Sequence, residues 1–134
     1  MVSRPYGCTD TIPPSVGATG CVSIQKLMDG SNKREHLWEN STTLHKGLKD
    51  LGCQLGTEEP QSAIIAVIMP DLEKGAAMWE ALIKGGLYVN LARPPATPAN
   101  MTLLRCSLCA EHSEAEVSEI LSIFEAAGKQ VGII

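Results

Sequence analysis

Two arginines, Arg93 and Arg105, stand twelve residues apart in the stretch NLARPPATPANMTLLRCSLC. A guanidinium presents a planar fork of N–H donors that fits a carboxylate in a two-point contact. Arg93 opens a loop with three prolines, which fix the path of the loop, and Arg105 lies within an apolar run, residues 102–109. The chemistry that these residue types indicate is the binding of a small carboxylate.

The direction of Arg105 follows from strand alternation. Leu104, Cys106 and Leu108 share the predicted core face, and Arg105 points to the other face. Arg105 is then either solvated on an open antiparallel sheet or placed on a covered face, where it needs an anion. The segment SAIIAVIM, residues 62–69, is apolar on both faces and predicts a central strand buried on both sides, which favours the second alternative. The residues alone leave both alternatives open.

Cys106, Cys109 and His112 have the spacing of half a zinc site. Along a strand, however, the two cysteines point to opposite faces, and the sequence has no second CxxC pair. His36 and His45 are expected on a distant helix and do not share one of its faces. We therefore interpret the cysteines as packing residues and expect no metal site.

Composition limits the classes of function. The chain has 134 residues, a net charge of -4 and a pI of about 5.3, which argues against nucleic acid or an anionic membrane as a partner. The longest apolar run, residues 63–69, is too short for a transmembrane segment, and the first residues lack a signal-peptide pattern. Five scattered cysteines are typical of a reducing compartment. We expect a cytoplasmic protein.

The hydrophobic pattern predicts an α+β fold, in which two N-terminal helices precede a β-α-β-β-α unit with a small, mostly antiparallel sheet and helices on one face. Residues 1–52 are expected to form a helical connection, and residues 53–134 a small α+β domain. The predicted helices run from Pro14 to Asp29, from the N-cap Ser31 to Gly52, from the N-cap Asp71 to Gly85, and from the capping box Ser113–Glu116 to about Ala127. The predicted strands are residues 62–69, 87–91 and 102–109. The inward side chains of the third helix are expected to be Leu72, Ala76, Trp79 and Ile83.

The stretch GGLYVNLARPPATPANMTLLRCSLCAEHS resembles the C-terminal domain of the α-oxoamine synthases, PLP-dependent enzymes of the fold-type I aminotransferase superfamily. That family shares an R-P-P-[TA]-x-P loop, an L-R strand and a histidine before the last helix. Their counterparts here are Arg93 to Pro98, Leu104-Arg105 and His112-Ser113. The likeness covers residues 4–134 and is greatest to the bacterial branch that uses serine.

The resemblance implies a decarboxylative condensation of L-serine with a long-chain acyl-CoA, which releases CO2 and gives 3-oxosphinganine for sphingolipid biosynthesis. In this reading Arg105 binds the substrate carboxylate, and Arg93 is a catalytic residue that moves toward that carboxylate and assists decarboxylation. Thr9 would reach the phosphate of pyridoxal 5'-phosphate (PLP) in the neighbouring subunit of a homodimer. Cys8 and Asp10, on either side of Thr9, depart from the family pattern.

The resemblance also implies a large domain that precedes these residues and carries the lysine that binds PLP. We therefore expect this chain to be the C-terminal part of an enzyme and to be inactive alone. One alternative is a stand-alone regulatory module that binds a small carboxylate through Arg93 and Arg105. The other is a different α-oxoamine synthase, such as one that makes 8-amino-7-oxononanoate.

Overall fold

A computed structural model describes residues 12–134, and the elements in this range follow the predicted order. The fold is α+β, as predicted. No helix in the described range is both long and apolar enough to cross a membrane. The elements are α1 (Pro14–Asp29), α2 (Ser31–Asp50), β1 (Ile64–Met69), α3 (Leu72–Lys84), β2 (Asn90–Ala92), β3 (Thr102–Ser107) and α4 (Glu114–Val131).

The chain divides into two compact units, one ending at Asn32 and the other spanning Lys33–Ile134. In the described part of the first unit, α1 begins at Pro14 and is followed by Gly30, as predicted. It contains no buried residue, although it carries Val22, Ile24 and Leu27. The helix therefore forms without a core of its own in this unit.

The sheet of the second unit has the strand order β1-β3-β2, with both pairs antiparallel. The prediction of residues 62–69 as a central strand was wrong, because β3 holds the centre and β1 lies at an edge. Part of the outer edge of β1 is paired with the preceding loop. Ile68 N–H donates to Gln54 C=O (2.7 Å), and Gly56 N–H donates to Ala66 C=O (2.9 Å).

The expectation that β1 is buried on both sides was also wrong within this chain. Ile65, Val67 and Met69 are buried, whereas Ile64 on the other face is 52% exposed. The buried set packs into one core with side chains from α2, α3 and α4, so these helices cover a single face of the sheet. The core consists of Leu44, Leu48, Cys53, Ile65, Val67, Met69, Met78, Leu82, Val89, Leu104, Cys106, Val117, Phe124 and Ala127.

Helix α3 turns a different face to the sheet than predicted. Gly75, Met78 and Leu82 are buried, while Leu72 and Ile83 are exposed. Gly75 explains the difference, because a Cβ at this position would lie 2.6 Å from Thr102 Cγ2 of the sheet. The missing side chain lets the helix approach the sheet closely along this face. The predicted N-cap is confirmed, since the Asp71 carboxylate accepts from Lys74 N–H at 2.7 Å.

Helix α2 is anchored by buried polar side chains, which we call the α2 anchors: Asn40, Ser41 and His45. Each bonds a main-chain carbonyl of a loop beside the sheet, so the polar atoms are satisfied without water. The contacts are Asn40 Nδ2 to His112 C=O (2.7 Å), Ser41 Oγ to Ser62 C=O (2.7 Å), and His45 Nε2 to Thr57 C=O (3.0 Å).

Several element ends differ from the predicted bounds by a few residues. Ser31 is the first residue of α2, β2 is confined to Asn90–Ala92, and β3 ends at Ser107. Helix α4 begins at the predicted capping box but continues to Val131. Gly132 ends it in the left-handed region (φ 69°), which glycine adopts readily.

The capping box yields a stability prediction. Ser113 N–H donates to Glu116 Oε2 (2.7 Å), and Glu116 N–H donates to Ser113 Oγ (3.3 Å). Ser113→Ala is expected to lower the free energy of unfolding by about 1 kcal/mol, because an N–H of the first helical turn loses its acceptor. Chemical denaturation followed by circular dichroism measures the change.

Ser118→Ala is the matched control in the same helix. Its hydroxyl donates only to the carbonyl of Glu114, one turn earlier (2.9 Å), and alanine is favourable in a helix interior. The free energy of unfolding of this control should differ from that of the parent chain by about a few tenths of a kcal/mol, as is typical of a surface substitution. Equal losses for the two variants would contradict a specific capping role for Ser113.

Candidate functional site

Arg93 and Arg105 line one open cleft of about 700 Å³ on the second unit. The strand β2 and the proline loop supply most of its wall, and Leu72 at the start of α3 adds an apolar side chain. The sequence predicted both arginines as anion-binding candidates, and the fold brings them together. The remaining lining residues are Asn90, Leu91, Ala92, Pro94, Pro95 and Ala96.

Strand β3 sets the direction of Arg105. Leu104 and Cys106, its neighbours along the chain, are 0% and 5% exposed in the core, so Arg105 is held on the opposite face. This direction was predicted. The side chain is exposed, and Ala66 of β1 and Asn90 of β2 lie directly opposite it on the two paired strands. Of the two alternatives for Arg105, the open sheet face describes this chain.

Arg93 follows the last residue of β2 and opens a loop that is ordered by its own hydrogen bonds. Ala96 N–H donates to the carbonyl of Arg93 (3.0 Å), which closes a tight turn around Pro94 and Pro95. Thr97 Oγ1 donates to the carbonyl of Met101 (2.6 Å) near the start of β3. These bonds fix the base of the Arg93 side chain at the mouth of the cleft.

The two guanidiniums make the cleft positively charged. Among the described residues, neither has an ion pair or a side-chain hydrogen bond, and no carboxylate lines the cleft. Two cations in one concave site attract an anion, and their N–H donors are free to bind it. The arrangement is suited to holding a carboxylate from two directions.

Thr9, the predicted phosphate contact, lies outside the described residues, as do Cys8 and Asp10. Its role stays a prediction.

The CxxC-His segment has the thiols in different environments. Cys106 is buried, and burial together with the nearby Cys53 thiol raises the pKa of Cys106 to about 12. A thiol protonated at neutral pH is a poor metal ligand. Cys109 is exposed, and its N–H donates to His112 Nδ1 (3.2 Å). The described residues contain no group of three or more potential ligands that could hold a metal ion.

The expected distance between α2 and this segment was wrong. His36 Nδ1 lies 2.7 Å from the carbonyl of Ala110, and Lys33 forms an ion pair with Glu111 (2.5 Å). Asn40 also donates to this loop. The segment after β3 is therefore held against α2 by hydrogen bonds and an ion pair. The spacing of the histidines in the sequence did not predict these contacts.

Sequence reasoning missed Asn90 as a lining residue of the cleft. Its position opposite Arg105 depends on the register between β2 and β3, with Ala92 opposite Leu103 as the next pair on that face. The available signal was the three-residue separation of Asn90 from Arg93, within the quoted stretch. Without the register, that signal does not place the two side chains on one face.

Comparisons with known proteins agree with the fold. The aminotransferase class I and II family model matches residues 1–124. Serine palmitoyltransferase from Sphingomonas paucimobilis is 56% identical over all 134 residues, which span 32% of that protein. The 8-amino-7-oxononanoate synthase of Cellvibrio japonicus is 31% identical over 121 residues, 90% of this chain and 30% of that protein.

A solved structure of serine palmitoyltransferase (SPT) with its PLP internal aldimine superposes with a TM-score of 0.94 at 56% identity, over 99% of this chain and 33% of that one. The chain thus spans about a third of the length of these relatives. The resemblance to PLP-dependent synthases that was drawn from the RPPATP loop and the L-R strand is confirmed. With the family match extending from residue 1 to residue 124, the chain belongs to the aminotransferase class I and II family.

Proposed function

We propose that this chain is the C-terminal part of a PLP-dependent acyltransferase that condenses L-serine with a long-chain acyl-CoA to 3-oxosphinganine. The observation that carries the proposal is the convergence of Arg93 and Arg105 on one cleft without an acidic partner among the described residues. The 56% identity to a serine palmitoyltransferase, against 31% to an 8-amino-7-oxononanoate synthase, favours serine as the amino acid.

We propose the amino-acid substrate as the ligand of the cleft. Its charged donors are the two guanidiniums, which suit a carboxylate in a two-point contact. Thr9 is the residue of this chain that we propose for the PLP phosphate, and the other cofactor contacts would come from the rest of the enzyme. When bound, PLP supplies the electron sink that stabilises negative charge at the α-carbon of serine.

Arg105 is proposed to bind the serine carboxylate. It projects from the central strand of the sheet, between paired neighbours on both sides, so its backbone is rigid. A bidentate contact from such a position fixes both the place and the orientation of the amino acid. The α-carbon is thereby presented to the acyl thioester, with which it forms the new carbon–carbon bond as the CoA thiol leaves.

Arg93 is proposed to act later, when the carboxylate leaves as CO2. Its side chain extends from a loop rather than a strand, and it reaches the same cleft from the mouth. An arginine that contacts the carboxylate at this stage would orient it for cleavage of the carbon–carbon bond, whose electron pair stays on the α-carbon as neutral CO2 leaves. We further propose a homodimeric, cytoplasmic enzyme as the setting in which both arginines act.

The choice of amino acid is the first test of this function. In the whole enzyme, L-serine is expected to change the absorbance of bound PLP at lower concentration than glycine, L-alanine or L-threonine. We expect this preference for L-serine because the sequence segments that form the cleft resemble those of the serine-using branch. A preference for L-alanine together with pimeloyl thioester would instead assign the chain to the oxononanoate branch.

Arg105→Ala is expected to weaken serine binding by about 2–3 kcal/mol, because a charge-assisted two-point contact to the carboxylate is lost. Arg105→Lys keeps the charge but lacks the planar fork, so it should recover only part of the affinity. Serine titrations followed by PLP absorbance compare the three proteins. Equal serine affinity in all of them would contradict the assignment.

Arg93→Ala is expected to leave the affinity for serine largely unchanged and to lower kcat, since its proposed contact forms after serine has bound. Serine titration and steady-state formation of the product separate the two effects. A loss of serine affinity as large as that of Arg105→Ala would show that both arginines hold the ground-state carboxylate.

A further inference from the structure

Tyr88 and Asn90 form a hydrogen-bonded polar pair, in which Asn90 lies directly opposite Arg105. We propose that Asn90 is an additional ligand of the substrate carboxylate and that Tyr88 is a positioning residue, which orients the Asn90 carboxamide for this contact. The inference rests on the proposed function of the cleft and assigns a role in it to each of these two residues.

The register places Asn90 next to Arg105. The two residues are direct partners across β2 and β3, and directly opposed residues project to the same face with their Cβ atoms about 5 Å apart. Asn90 also lines the cleft that holds Arg93 and Arg105. A carboxylate bound by the Arg105 fork would therefore lie within reach of the Asn90 side chain.

The Tyr88 hydroxyl holds one end of the Asn90 carboxamide. It donates to Asn90 Oδ1 at 3.1 Å, and in this orientation Nδ2 is left as the donor for a ligand. Within the described residues, no group accepts a hydrogen bond from Nδ2. An amide N–H donor beside a guanidinium is suited to an anion, whereas the flipped amide would present an oxygen that repels it.

The backbone between the two side chains is fixed from the core side. Val89 is buried, and Trp79 Nε1–H of α3 donates to its carbonyl at 2.9 Å. Tyr88 is 76% exposed, so packing in this chain does not account for a large aromatic side chain there. Its hydrogen bond to Asn90 gives it a specific role.

A carboxylate can accept about four hydrogen bonds, and a bidentate arginine uses two of them. Asn90 Nδ2 would supply a third from the neighbouring strand. The rigid pair of strands then holds the carboxylate before Arg93 contributes from its loop. In this arrangement Asn90 recognises the carboxylate of the substrate amino acid and not the side chain of the substrate.

The test compares L-serine with serinol, in which a hydroxymethyl group replaces the carboxylate, as ligands of the holoenzyme that contains this chain. Tyr88→Phe is expected to weaken binding of L-serine about fivefold, the size of a neutral hydrogen bond, and Asn90→Ala about tenfold, near the lower end for a hydrogen bond to a charged group. Both variants should bind serinol as the parent enzyme does. In the Asn90→Ala background, Tyr88→Phe should cause no further loss, because Tyr88 acts through Asn90.

Ser107→Ala is the matched control, since Ser107 is exposed on the same face of β3 but does not line the cleft. It should leave both affinities unchanged. Equal weakening of L-serine and serinol, or additive effects of the two substitutions, would overturn the proposal. Unchanged serine affinity in both variants would also overturn the proposal. The serine affinity of Arg105→Ala, measured in parallel, then decides whether the proposed function survives. If Arg105→Ala is then silent as well, the carboxylate site itself is wrong.

Discussion

The central position of β3 is the constraint on which both the core and the cleft depend. Because β3 pairs with β1 on one edge and β2 on the other, its register is fixed from two sides. A slip of one residue would turn Leu104 and Cys106 out of the core and bury Arg105, and a buried guanidinium without a partner carries a large desolvation penalty. The same packing that stabilises the sheet therefore sets the direction of the arginine proposed to hold substrate.

Local signals predicted the order and type of the elements, because they act within a few residues. The capping box at Ser113 and the N-cap at Asp71 are of this kind. The strand order was not predictable in this way, since SAIIAVIM is apolar on both faces and its partner is chosen by long-range pairing. The inward face of α3 was missed for a related reason. Two sets of residues have helical spacing, and the close approach of Gly75 to Thr102 selects one of them.

The candidate site shows the same division between local and long-range information. Alternation along one strand was enough to place Arg105 on the face away from the core, and the proline loop that follows Arg93 drew attention to that residue. Their meeting in one cleft depends on the turn after β2, which Ala96 N–H closes with the carbonyl of Arg93. Asn90 could be found only once residues of two strands were matched in register. Chemistry that depends on one element is visible in sequence, whereas chemistry shared between elements needs the fold.

The α2 anchors have a consequence for how this helix can move. Their acceptors are carbonyls in loops that flank β1 and β3 at one end of the sheet, where Ile64 pairs with Ser107. Sliding the helix by one turn, about 5.4 Å, would leave every anchor and every acceptor unpaired at once, and no intermediate position restores them. We therefore expect α2 to dock cooperatively. While these bonds hold the helix in place, the adjoining ends of β1 and β3 are kept in register.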